Sequence, residues 1–239
     1  MSQAHRLIGT GGVLTFAFIG AVQALYGPLV PSFQRKFAID AGTAGLVFTA
    51  HGLGSLCGIL TPSIVQVNGL ASHWLALATA LLFIGATALS FAPTWPGLLA
   101  AAFVFAVGFG IHVVRLNALF VAGFGRRGMA MSQLINAAFS VGTILGPVAL
   151  GVTPDPSPHV FRTIAGLALV LFPLSVLMDN KVESAVPSSQ ATCTDRNSWG
   201  LLAAFVLIMC PSVERRTQSG AGPQPWPSLR VTHIAKRRT

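Results

Sequence analysis

From residue 41 to residue 114 the chain contains no Asp, Glu, Lys or Arg, and none occurs again from 128 to 154. No motif constrains the fold as much as that emptiness. An ordinary soluble domain carries roughly 25% charged residues. Here the share is 9%, beside 53% hydrophobic residues, and a soluble fold so poor in charge would precipitate. A hydrocarbon core of ~30 Å is crossed by about 20 mostly apolar helical residues. The uncharged runs are therefore several crossings long, and they predict an all-α, polytopic membrane protein.

Turn and polar punctuation cuts the apolar sequence into six helices, at about 8–31, 42–65, 73–92, 97–120, 130–152 and 160–178. The breaks are "PSFQRKFAID", "QVNGLAS", "PTWP", "AGFGRRGMA" and "TPDPSPH". All are short, so consecutive helices are expected to be antiparallel neighbours. Arg6 ahead of an apolar stretch, with "VQA" ending at Ala24, has the look of a cleavable signal. The stretch stays uncharged from Leu7 to Gln34, however, well beyond a signal core of ~7 to 15 residues, and reads as a span.

Loop charge sets orientation. With the N-terminus in the cytoplasm, Arg6, Arg126, Arg127, Lys181 and Arg196 lie inside, and Arg35, Lys36 and Arg162 outside. This favours a cytoplasmic N-terminus in a plasma membrane of the bacterial inner-membrane type.

Residues 1–178 thus read as a six-helix transmembrane domain and 179–198 as a polar cytoplasmic linker. "WGLLAAFVLIMC", residues 199–210, begins a seventh apolar helix that at ~18 Å is too short to span. Residues 211–239 read as a disordered basic tail, with six Lys or Arg against Glu214 out of a net charge of +9. The tail has two readings: a basic segment held at an anionic inner leaflet, worth about 1 kcal/mol per Lys or Arg, or unselected sequence after a longer membrane protein was cut at the start of helix 7. The second is favoured, because a helix abandoned after three turns has no evident purpose.

Within lipid, polar side chains are expected to face the bundle interior or a wet cavity. On helix 5, Gln133, Asn136, Ser140, Thr143 and Pro147 recur at steps of three and four, and so share a face. Helix 2 carries His51, Ser55, Gly58 and Pro62 in the same way, helix 1 Thr15, Ile19, Gln23 and Tyr26, and helix 4 Gly108, His112 and Arg115. Helices 3 and 6 have only scattered hydroxyls and read as lipid-facing. The order polar, polar, oily, repeated, suggests two copies of a three-helix unit, the plan on which many secondary transporters are built. Gly54 with Gly58, and Gly142 with Gly146, have the spacing that lets helix backbones approach.

Arg115 inside helix 4 is the most expensive side chain in the spans, at ~2.5 to 3.5 kcal/mol on insertion scales. It reads either as a cavity-lining cation or as a side chain snorkelling to the cytoplasmic headgroups. His112 and His51 read either as packing residues or as groups that titrate near neutral pH. Gln23, Tyr26, Asn117, Gln133 and Asn136 could hydrogen-bond a neutral solute or a neighbouring helix.

All six acids lie outside the six helices, so no carboxylate is available in the spans for proton coupling. Three cysteines without metal-type spacing imply neither a disulfide framework nor a zinc site, and nothing calls for a cofactor. "GFGRRG" matches a dinucleotide fingerprint but joins two membrane helices rather than a strand and a helix. Ser55 in "GLGSLCG" could pair with a histidine in an intramembrane protease, yet the packing stripe accounts for it, and no catalytic residue is assigned.

The ordered set of features resembles the N-terminal half of a major facilitator superfamily transporter over about residues 8–210. Three phrases carry it: "YGPLVPSF" leaving helix 1, "GFGIHVVRLNALF" in helix 4, and "FSVGTILGPVALG" in helix 5. "LLAAFVLIMC" resembles helix 7 of the fucose-permease-type sugar/proton symporters. The loop "PSIVQVNGLAS" departs from the family pattern in lacking the charged gating residues, and helices 1 and 4 lack the carboxylates of the fucose type.

The resemblance implies alternating access around a midplane cavity lined by helices 1, 2, 4 and 5, with Gln23, Tyr26, His51, His112, Arg115, Asn117, Gln133 and Asn136 as the candidate substrate-binding set. The expected partners are a small-molecule substrate with a coupling ion, the bilayer, and either a second copy or a missing C-terminal half, but no nucleic acid. The rival reading is a truncated, non-transporting scaffold.

Overall fold

A charge-free backbone in lipid must satisfy its own hydrogen bonds, and a helix does so within one segment. The computed structural model describes residues 3–64, 73–151 and 157–183, and all regular structure there is helical. The elements are α1 (Gln3–Phe37), α2 (Ala41–Ile64), α3 (Trp74–Phe91), α4 (Trp95–Gly123), α5 (Gly128–Gly151) and α6 (Ser157–Glu183). Each is long and apolar enough to cross a membrane. The chain is an all-α, multi-pass membrane protein. The expected short seventh helix, the basic tail and most of the linker lie outside the described residues. Residues 179–183, expected to open that linker, instead continue α6.

The largest boundary difference is in α1, which runs through Pro28 and Pro31 and through "SFQRKF" to Phe37. A membrane helix tolerates proline because neighbouring groups can re-satisfy the freed carbonyl, so these prolines do not end it. What ends it is Ala38, at φ +52, after which the Ile39 N–H donates to the Gln34 carbonyl at 3.3 Å in a Schellman closure.

Asp40 then caps α2: its carboxylate accepts from the Thr43 N–H at 3.0 Å and the Thr43 hydroxyl at 2.6 Å. These bonds, the hydroxyl's first, hold the exposed carboxyl below its ordinary pKa. A depressed folded pKa contributes stability that is present above the unfolded value and lost as pH falls through the folded one. We expect the melting temperature in detergent to fall below about pH 4. Asp40→Asn, which keeps a capping oxygen but does not titrate, should flatten part of that fall; an unchanged acid profile would refute the assignment.

Packing crosses the two three-helix repeats. The main partner of α2 is α4, and that of α1 is α5, while α3 packs about equally against α4 and α6. Glycines set the first two contacts. A Cβ on Gly54 or Gly58 of α2 would strike the carbonyls of Phe103 and Val107 on α4, and one on Gly110 of α4 the carbonyl of Ser55. In α5, Gly142 and Gly146 stand in the same way against the carbonyls of Ala17 and Ala21, and Gly20 of α1 against that of Phe139. Backbone lies on backbone in both seams, the contact that small residues permit in membranes.

Helices α3 and α6, whose composition reads as lipid-facing, each have two faces. Leu77, Ile84 and Phe91 form an exposed stripe on α3, and Leu169, Val170, Phe172 and Leu177 one on α6. Their hydroxyls Thr79, Ser90 and Ser175 turn inward and are buried. At one end of the bundle Lys36 Nζ donates to the Ala92 carbonyl at 3.0 Å and Arg162 Nε to Ser90 Oγ at 3.3 Å. Both cations thus hold the negative end of the α3 dipole. Phe33, Phe37, Trp95 and Phe161 cluster beside them.

Candidate functional site

Among the described residues three groups of polar side chains stand out between the helices, distinguished by how far they are satisfied; Trp95 Nε1, at one end of the bundle, is a further buried donor without a partner. The first joins α3, α4 and α6. Thr79 Oγ1 lies 3.0 Å from His112 Nε2 and 2.7 Å from Ser175 Oγ; each hydroxyl has one proton to give, and the Leu75 carbonyl, 2.9 Å from the first, and the Leu171 carbonyl, 3.1 Å from the second, stand as further acceptors. His112 is 1% exposed. Apart from its Nδ1, which has no partner, this network is closed.

The second group joins α4 to α5. Asn117 Nδ2 donates to the Val113 carbonyl at 2.9 Å, and Asn117 Oδ1 accepts from Ser132 Oγ at 2.8 Å and Asn136 Nδ2 at 3.2 Å. Asn136 also donates to the Ser132 carbonyl at 2.8 Å. These groups stitch the α4–α5 hairpin just beyond its turn, where Gly125 takes φ +52 and residues Gly125–Arg127 make one 3-10 turn. "GFGRRG" is that turn, not a phosphate loop.

The third group is different. Gln23 Oε1, Tyr26 Oη, both ring nitrogens of His51 and Ser55 Oγ are buried without any hydrogen-bond partner. Leaving a buried donor or acceptor unpaired costs ~1 to 3 kcal/mol each, and more than 90% of buried polar groups avoid it. Two of these side chains stand on α1 and two on α2, each pair three or four residues apart on one helix face. Tyr26 and His51 are 2% and 4% exposed, with ring centroids 5.1 Å apart. Gln23 and His51 stand near the midpoints of their spans.

The remaining wall is aromatic. His51 meets Phe109 at 5.3 Å and Phe105 at 6.3 Å from α4. Phe109 meets Phe139 of α5 at 6.3 Å, Phe139 meets Phe16 of α1 at 6.5 Å, and Phe48 of α2 meets Tyr26 at 6.4 Å. Helices α1, α2, α4 and α5 therefore converge on one midplane cluster with a polar half and an aromatic half.

Of the candidate residues, Tyr26 and His51 are brought into ring contact, with Gln23 one turn from Tyr26 on the same face of α1. Asn117 and Asn136 are joined to each other elsewhere. His112 lies in the α3–α4–α6 seam, and Gln133 is exposed on α5. Arg115 is half-buried on α4 and makes contacts of its own. The aromatic wall went unremarked in the sequence, although Phe105 and Phe109 at i, i+4, and Phe48 and His51 at i, i+3, carry a helical face's spacing.

The family model of the Major Facilitator Superfamily matches residues 12–232, which begins within α1 and takes in the other five described helices whole. The chain belongs to that superfamily. Among curated superfamily proteins it is similar to an MFS-type transporter of Bacillus subtilis, YcnB, at 28% identity over 74% of this chain and 38% of the relative. It is also similar to an MFS-type transporter of Yersinia pestis, at 27% identity over 66% of this chain and 42% of the relative. The chain thus spans about two fifths of the length of the curated relatives it matches.

Proposed function

We propose that the chain binds and carries a small uncharged solute by alternating access, acting as one six-helix body of a major facilitator transporter. The observation that carries this reading is the unsatisfied midplane cluster of Gln23, Tyr26, His51 and Ser55. A bundle that pairs Thr79 with His112 and Ser175, and Asn117 with Ser132 and Asn136, leaves these four side chains to meet a ligand's hydroxyls or amides. No acid lies in any of the six described spans, so the site offers hydrogen bonds rather than carboxylate charge. Sugars are the neutral class to which the resemblance to fucose-permease-type symporters points.

The body needs a counterpart. On α5, Gln133, Asn136 and Ser140 are exposed at the bundle's surface, and polar side chains at membrane depth face protein or water rather than lipid. A second six-helix body, from another copy of the chain or from a C-terminal half, would cover that face and complete the alternating pair. The excess of Lys and Arg in the inner loops supports a cytoplasmic N-terminus in a bacterial inner membrane.

The test is uptake of tritiated galactose and tritiated uridine into liposomes reconstituted with the chain. We expect accumulation above protein-free liposomes, falling at least tenfold in Gln23→Leu. Uptake in Gln23→Leu equal to that of the unaltered chain would remove this cluster from the pathway.

A further inference from the structure

The two repeats can be aligned through their glycine seams. Gly54 and Gly58 correspond to Gly142 and Gly146, which maps α2 onto α5 by a shift of 88 residues; the carbonyls they touch, of Phe103 and Val107 and of Ala17 and Ala21, map α1 onto α4 by a shift of 86. Under this mapping the polar residues of the midplane cluster fall on unlike counterparts. Gln23 maps onto Phe109 and His51 onto Phe139, both members of the aromatic wall. Ser55 maps onto Thr143, whose hydroxyl is taken by the Ser140 carbonyl at 2.7 Å. Tyr26 maps onto His112, which is held by Thr79. At Gln23 and His51 one repeat presents an unpaired hydrogen-bonding group where the other presents a phenyl ring, whereas Phe48, beside Tyr26, maps the opposite way onto Asn136.

From this asymmetry we infer that the site takes an uncharged, ring-shaped solute, its hydroxyl or amide edge against Gln23, Tyr26 and His51 and its flat face on Phe109 and Phe139. The inference rests on the proposed solute site and adds to it the two-sided shape of the ligand. Aromatic side chains favour flat partners in stacked or edge-on arrangements. Gln23 Oε1 is an acceptor, so it calls for a hydroxyl or N–H on the ligand, and a neutral imidazole offers one donor and one acceptor. A charged ligand would lose its hydration without gaining a counterion in the cluster. Arg115 lies about 9 Å along α4 from Phe109. An open-chain polyol has the hydroxyls but not the face.

The test is equilibrium binding to the full chain in detergent with four probes: galactose, its open-chain alditol galactitol, uridine, and the anion galacturonate. Galactose or uridine should bind at least tenfold tighter than galactitol. Phe109→Leu and Phe139→Leu, which stay apolar but lose the flat surface, should reduce ring binding to the alditol level, whereas Gln23→Leu should weaken ring and open-chain probes alike. Melting temperatures confirm that each variant is folded.

Galactitol binding as tightly as the ring probes, or ring preference surviving in both Phe variants, would overturn the two-sided site while leaving a neutral-solute site standing. Tightest binding of galacturonate, or indifference of every probe to Gln23→Leu, would overturn the neutral-solute site as well. Failure of both ring probes to bind overturns the inference.

Discussion

Gly142→Leu is expected to abolish the folded bundle. A Cβ at that position already collides with the Ala17 carbonyl, which is main chain inside a helix and cannot swing aside. The only relief is separation of α1 from α5, which also lifts Gly146 off Ala21 and Gly20 off Phe139. Overpacking a tight core typically costs ~1 to 3 kcal/mol, and occasionally more; a branched side chain driven into a backbone seam belongs at or above the upper end, about 3 kcal/mol or more. Gly58→Leu should act in the same way on the α2–α4 seam. Gly52→Leu and Gly151→Leu, where an added Cβ meets nothing within 4 Å, are the controls. Size-exclusion profiles and melting temperatures in detergent decide the matter: a monodisperse, unshifted Gly142→Leu would show that the seam is not closed in the protein.

Two polar substitutions of similar size are expected to move stability in opposite directions. Thr79→Val keeps the shape but strands His112 Nε2, while Ser175 Oγ keeps the Leu171 carbonyl, and should destabilise the bundle by ~1 to 3 kcal/mol, the penalty for an orphaned buried group. His51→Leu removes a ring whose two nitrogens are already orphaned, so it should leave the melting temperature unchanged or raise it while removing solute binding. Stability gained where function is lost marks a residue retained for its ligand. If both variants lost stability equally, His51 would be a packing residue, and the distinction between satisfied and unsatisfied groups would fail.

The number and depth of the spans were legible because charge is nearly forbidden in lipid, so the uncharged runs mark them directly. Ends were less so. Pro31, at the head of "PSFQRKFAID", read as punctuation by rules learned from soluble helices, while the real stop, Ala38 with a left-handed backbone, has no signature in its side chain. Polar faces were legible too: Gln23 and Tyr26 on helix 1 and His51 on helix 2 follow from steps of three and four. Periodicity fixes a face but does not name the neighbour that the face meets. Helix α4 has close neighbours in α2, α3 and α5, so His112 and Phe109, three residues apart, meet different ones: Thr79 on α3 and His51 on α2. Aromatic residues escaped because phenylalanine is at home anywhere in a greasy helix, and only contact geometry tells a wall from filler.

The seams between α1 and α5 and between α2 and α4 carry a consequence for biogenesis. Helices leave the ribosome in order, yet the first to be inserted finds its main partner only after three others have been threaded, and the second waits for the fourth. Until then the notched surfaces of the early helices are bare in the bilayer, open to lipid, to other nascent chains or to an insertase. Neither triplet can finish maturing before the other arrives, so the six helices should become protease-resistant together, late in synthesis, rather than as two successive triplets.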